Sequence, residues 1–131
     1  MSADKVVLVV DDDHAVLETM QLLLEGHGFQ VHGALGALGA MAFLTSDAPL
    51  DVIVADLILS GETSGTQLCE MVRRSYPRVG VVIISAEPAG AAANAIASSV
   101  YLRKPFGGNE LIKAIEQAMD VGEEKLLDMR G

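Results

Sequence analysis

Five short apolar runs, at residues 5–10, 29–34, 51–55, 79–84 and 100–102, alternate along the chain with longer segments of helical period. This alternation constrains the fold more than any other feature. Each run has the length of a strand, and repeated strand-then-helix units are the signature of a parallel sheet covered by helices. The first run, Val6-Val7-Leu8-Val9-Val10, is apolar without a break, as suits a strand packed on both faces.

The segments between the runs read as helices. Asp13 is a good N-cap for the first, which carries Val16, Leu17, Met20, Leu23 and Leu24 on one face and stops near Gly26 and Gly28. The second strand contains His32 and Gly33, which suits an outer position in the sheet. A second helix is expected over residues 38–45, its start weakened by Gly36 and Gly39. After a glycine-rich loop over residues 60–65, the third helix carries Leu68, Met71 and Val72 and ends at Tyr76-Pro77. An alanine-rich stretch, residues 88–98, offers a short fourth helix. The fifth is expected over residues 109–119 with Leu111, Ile112, Ile115 and Met119 inward.

A chain of 131 residues fits one domain, and half of its residues are apolar while only 4% are aromatic, so the core is aliphatic. Residues 1–121 are expected to form that domain, leaving residues 122–131 as a short tail of mixed charge with no room for an effector domain. The net charge of −9 opposes direct binding to nucleic acid, which depends on clustered Lys and Arg. No apolar run approaches the ~20 residues of a bilayer span, and no secretory segment stands apart from the first strand. A soluble, cytoplasmic protein is expected. The lone Cys69 reads as a small buried hydrophobe on a helix.

In an open parallel sheet, ligand sites lie beyond the carboxyl ends of the strands. There the sequence delivers Asp11 and Asp12 after the first strand, Asp56 after the third, Ser85 after the fourth and Lys104 after the fifth. Three carboxylates in one cleft repel one another, and they persist together only if one is protonated or a cation is bound. Hard oxygen ligands favour Mg²⁺, which bridges carboxylates to phosphate. A carboxylate can also be a phosphoryl acceptor, with a lysine and a metal neutralising the transferring oxygens.

The stretches Val9-Val10-Asp11-Asp12, Asp56 after an apolar strand, Ile83-Ile84-Ser85-Ala86 and Leu102-Arg103-Lys104-Pro105-Phe106 resemble the signature stretches of the receiver domains of two-component response regulators. The likeness covers roughly residues 5–120. It implies a flavodoxin-like, doubly wound five-stranded sheet of order 2-1-3-4-5 with helices on both faces. It implies a phosphorelay switch in which Asp56 accepts a phosphoryl group from a histidine kinase or histidine phosphotransfer protein and output passes through a downstream protein. By the same resemblance, Asp11, Asp12, Asp56 and the main-chain carbonyl of Ile58 hold Mg²⁺, with Asp12 the direct ligand of the acidic pair. Lys104 pairs with the phosphoryl group, Ser85 is the switch hydroxyl, and Tyr101 is an aromatic that changes rotamer. Ile58 and Glu87 fall at positions that tune water access, bulky Ile58 implying slow hydrolysis. The Lys104-Pro105 bond is often cis in the family.

The chain departs from the family pattern in two places. Leu59-Ser60 and one extra loop residue precede Gly65, a longer loop that resembles receivers attached to hybrid histidine kinases. The stretch from Ser85 to Lys104 is about three residues short, which puts the usual output face in doubt. Two other functions compete. Asp11 and Asp13 superficially fit a small aspartate-dependent phosphohydrolase, phosphorylated on Asp11, although Ala15 stands where that motif wants Thr or Val. A receiver-like module that binds proteins without being phosphorylated is the other.

Overall fold

Alternation along each strand sends successive side chains to opposite faces of a sheet, and this chain divides its apolar residues accordingly. The computed structural model describes residues 5–56, 65–86 and 99–130. Strands β1 (Val6–Asp11), β2 (Gln30–Leu35), β3 (Val52–Asp56), β4 (Gly80–Ser85) and β5 (Val100–Arg103) form one parallel sheet of order β2-β1-β3-β4-β5. Four described helices cover it: α1 (His14–Gly26), α2 (Gly36–Leu44), α3 (Gly65–Ser75) and α4 (Gly108–Arg130). The alanine-rich stretch and the glycine-rich loop lie outside the described residues, except for Gly65, which opens α3, so the last helix takes the label α4.

Val7, Val9, Val54 and Ile84 point to one face, where Leu17, Met20 and Leu24 of α1 and Leu111, Ile115 and Ala118 of α4 close over them. Leu8, Val10, Ile53 and Ile83 point to the other, under Ala37 and Ala40 of α2 and Leu68, Cys69 and Val72 of α3. Each large aliphatic side chain so buried contributes about 1.5–3 kcal/mol. The two layers hold the strand ends in register. Gly80 marks the tightest approach: a Cβ there would stand 2.7 Å from the Ala118 carbonyl carbon and oxygen, so only glycine lets α4 lie this close to β4.

The expected fold class, strand order and outer position of β2 all hold. Four details differ. The parallel ladder runs further than expected, making Asp11, Asp56 and Ser85 the last residues of their strands. Helix α2 begins at Gly36, two residues early, because that glycine takes φ +82 and turns the chain directly off β2. On α3 the buried positions are Leu68, Cys69 and Val72, while Met71 is 37% exposed. Cys69 is the buried small residue expected, and burial pushes its thiol up to about 12. The fourth difference is the C-terminal segment, which continues α4 to Arg130 where a tail was expected. No proline interrupts it, and Glu123, Glu124, Lys125, Leu126 and Leu127 are all good helix formers that outweigh Gly122. The start of α4 is fixed by Glu110, whose Oε1 accepts the Gly107 N–H at 2.9 Å in the manner of a capping box.

Candidate functional site

The register of the sheet assembles the site before any side chain is considered. Val10 pairs with Ala55, so Asp11 and Asp56 follow side by side at the carboxyl edge of β1 and β3. Asp56 pairs onward with Ile84, and Ser85 pairs with Arg103. Lys104 is the next residue, its N–H held by the Ser85 carbonyl at 2.9 Å. Neighbouring strands lie about 4.8 Å apart. Asp11, Asp56, Ser85 and Lys104 therefore stand in one row.

Lys104 Nζ donates to Asp56 Oδ2 at 2.7 Å, a short charge-assisted bond between a carboxylate whose side chain is 15% exposed and an ammonium that is 37% exposed. The hydrogen bond to Asp56 holds the Lys104 pKa above its ordinary value, against the opposing effect of burial.

Asp11 is in a different condition. It is 3% exposed, its Oδ1 accepts the Asp13 N–H at 2.8 Å, and its Oδ2 is buried with no hydrogen-bond partner among the described residues. Burial first, and the neighbouring Asp56 charge in addition, raise its pKa, opposed by that Asp13 bond. A buried polar oxygen left unmatched costs about 1–3 kcal/mol, more when charged. Asp13 itself is occupied elsewhere: its Oδ1 accepts the Ala15 and Val16 N–H groups at 2.9 and 3.2 Å and caps α1, as expected.

Asp12 is exposed on the loop between β1 and α1. Its Oδ1 comes within 3.1 Å of where a Cβ on Gly36 would stand, so the turn into α2 forms one wall of the acidic cleft. Ser85 is 3% exposed. The half-buried Tyr101 reaches the Ser85 carbonyl with its hydroxyl at 3.5 Å, and the Lys104-Pro105 bond is cis. Ile58 and Glu87, the two candidate tuning positions, lie outside the described residues.

These residues fit a hard divalent cation with a partial protein shell. Among the described residues no three acidic, His or Cys side chains converge as a ready metal cage. Mg²⁺ does not need one, since it keeps waters and binds through one or two carboxylates. The unmatched Oδ2 of Asp11, beside Asp12 and Asp56, is the oxygen such an ion or its water would satisfy.

Sequence reasoning located Asp11, Asp12, Asp56, Ser85, Tyr101 and Lys104 and missed Gly36. The signal for Gly36 was its place at a strand-to-helix junction, where a glycine marks positive φ or a close backbone approach.

The model of the response regulator receiver domain matches residues 7–116. An NtrX-like response regulator of Rickettsia felis is 30% identical over 123 residues, which cover 91% of this chain and 26% of that protein. The photosynthetic apparatus regulatory protein RegA of Rhodobacter capsulatus is 29% identical over 120 residues, covering 88% of this chain and 63% of RegA. The chain thus spans about a quarter of the length of its NtrX-like relatives. Among solved structures, a response regulator receiver protein of Sinorhizobium medicae superposes with a TM-score of 0.84 at 28% identity, covering 91% of this chain and 97% of that one.

Proposed function

This chain belongs to the response regulator receiver domain family, and on that premise we propose that it is a phosphoacceptor switch of a two-component phosphorelay, modified on Asp56. The observation that carries the reading is the Lys104 to Asp56 contact of 2.7 Å at the mouth of an acidic cleft. It puts a cation where phosphoryl charge arrives.

In the proposed reaction a histidine kinase or phosphotransfer protein presents a phosphorylated imidazole at the carboxyl edge of the sheet. An Asp56 oxygen forms the new P–O bond as the P–N bond breaks, and the electron pair leaves with the imidazole nitrogen, which takes a proton from water. Asp11, Asp12, Asp56 and the Ile58 carbonyl would hold Mg²⁺, which when bound would neutralise charge on the transferring oxygens. Lys104 moves its hydrogen bond from the carboxylate to the phosphoryl group. The Ser85 hydroxyl then bonds a phosphoryl oxygen, and Tyr101, which reaches the Ser85 carbonyl, changes rotamer with it. A coupling of about 1–3 kcal/mol suffices to shift such a two-state equilibrium toward a form that a downstream protein reads. Ile58 and Glu87 govern water access to the phosphoryl group. The chain acts as a signalling phosphoacceptor that assists its own modification, and the reading places it in the cytoplasm with its donors.

The test is exposure to phosphoramidate and Mg²⁺ followed by mass spectrometry, with a screen of purified autophosphorylated histidine kinases beside it. One hydroxylamine-labile phosphoryl group on Asp56, absent from Asp56→Asn, is expected. A label on Asp11 would overturn the reading in favour of phosphohydrolase chemistry. No modification by any donor would favour the module that binds without being phosphorylated.

A further inference from the structure

The solvent face of α2 is apolar where a surface helix is ordinarily polar. From Gly33 to Ser46 the sequence holds no charged residue. Leu35 is 53% exposed and Leu38 83% exposed, and Gly39 and Ala42 complete the outward face. This patch adjoins the acidic cleft. Leu35 is the register partner of Asp11 across β2 and β1, and Gly36, the next residue, backs the Asp12 carboxylate. Leu38 lies in the first helical turn beyond it. A protein that delivers a group to Asp56 over the carboxyl edge comes beside this rim, since Asp11 stands between Leu35 and Asp56 on neighbouring strands.

We propose that Leu35 and Leu38, with Gly39 and Ala42 beside them, are the apolar docking surface for the protein that donates the phosphoryl group; the inference rests on the reading of Asp56 above. The donor face that fits is apolar at its centre and bordered by Lys or Arg, because the exposed Asp12, beside Gly36, edges the patch on one side. A second copy of this chain is the poorer occupant. Symmetric association through the patch would bring two acidic rims together on chains that each carry a net charge of −9. Two leucines and two small residues also expose far less than the roughly 800 Å² per partner of a stable dimer, whereas a small anchor suits an encounter that must release once transfer is complete. Gly39 and Ala42 let a partner backbone approach closely.

The experiment compares two donors on the intact chain. Phosphoramidate with Mg²⁺ reads the chemistry alone, and the histidine kinase that transfers fastest to the wild type in the screen reads chemistry plus docking. The variants are Leu38→Asp and the milder double substitution Leu35→Ser with Leu38→Ser, all at solvent-exposed positions. Transfer from the kinase is expected to slow by about tenfold or more, the loss typical of a central interface anchor. Labelling by phosphoramidate is expected to stay at the wild-type rate. Unchanged kinase transfer in both variants overturns the docking inference and leaves the Asp56 reading standing. Equal loss from both donors also overturns it, because the leucines then act on the site itself. A wild-type dimer in sedimentation that Leu38→Asp renders monomeric assigns the patch to a second copy and overturns it as well. A wild type inert to both donors removes the Asp56 reading, and the inference with it.

Discussion

Replacing Asp11 by Asn should make the metal-free protein more stable while disabling its chemistry. The carboxylate is 3% exposed, its Oδ2 has no partner among the described residues, and Asp56 adds a like charge beside it. Asn keeps an acceptor for the Asp13 N–H, now held at 2.8 Å, and removes the buried charge. The relief is about 1–2 kcal/mol, the lower part of the range for an unmatched buried charged group. In EDTA at neutral pH this corresponds to a rise of roughly 3 to 8 °C in Tm. The effect has a definite pH dependence. Because burial raises the folded-state pKa of Asp11 above its ordinary 3.8, the wild type is relatively most stable below that value and loses stability as the pH climbs through the raised one. The variant lacks this slope, so its advantage vanishes in acid. Added Mg²⁺ reverses the order: at a hundred times its Kd it stabilises the wild type by about 2.7 kcal/mol, and the variant by far less. Scanning calorimetry with EDTA and with Mg²⁺, at several pH values, measures all of this. An Asp11→Asn protein less stable than wild type in EDTA would refute the argument that the buried oxygen is a cost awaiting a cation.

Three further outcomes follow from the packing. Gly36→Ala forces φ +82 on a residue with a Cβ and sets that Cβ 3.1 Å from Asp12 Oδ1; a loss of about 1–2 kcal/mol in stability and weaker Mg²⁺ binding by titration calorimetry are expected, and an unchanged Kd would separate Gly36 from the site. Gly80→Ala drives a Cβ into the Ala118 backbone at 2.7 Å and should cost about 1–3 kcal/mol, seen as a lower urea midpoint with phosphorylation of the surviving folded protein intact. Cys69, its thiol raised from 9.0 to about 12, should resist alkylation at pH 8 in the native state; stability is expected to fall between pH 9 and 12 as the unfolded thiol ionises, a slope that Cys69→Ala should lack.

The parts of the fold that could be read from the sequence are those that local chemistry determines. The unbroken Val6 to Val10 run reports burial on two faces, and both core layers accept its side chains alternately. Asp13 caps α1 because a short carboxylate before a helix has two orphan N–H groups to accept. Strand ends carried the site for the same reason: Asp11, Asp56 and Ser85 each close an apolar run, and parallel strands finish on the same edge. What escaped depends on distance or rotation. Met71 and Cys69 sit two positions apart on α3 with similar hydropathy, and the face turned to the sheet is chosen by the space beneath Leu68 and Val72. The pairing of Leu35 with Asp11 is a property of register between two strands separated by a whole helix. The extension of α4 to Arg130 was hidden by mixed charge, which reads as a tail although each residue favours a helix.

On the proposed reading, the charges at this edge call for both the lysine and a cation. Asp11, Asp12 and Asp56 meet there, and the ammonium of Lys104 pairs directly with Asp56. That hydrogen bond goes to Asp56 and leaves the buried Asp11 Oδ2 without a hydrogen-bond partner among the described residues. Phosphorylation would replace the single charge of the Asp56 carboxylate by about −1.5 to −2 on the phosphoryl group, at an edge already in excess of carboxylate. With Lys104 as the only compensation, the product would be opposed by Asp11 and Asp12. A divalent ion held by the acids would offset part of this charge, and Lys104 would then be free to follow the phosphoryl group. On that reading, acceptance of the phosphoryl group and movement of the lysine would be one electrostatic event, transmitted to Ser85, whose carbonyl holds the Lys104 N–H at 2.9 Å.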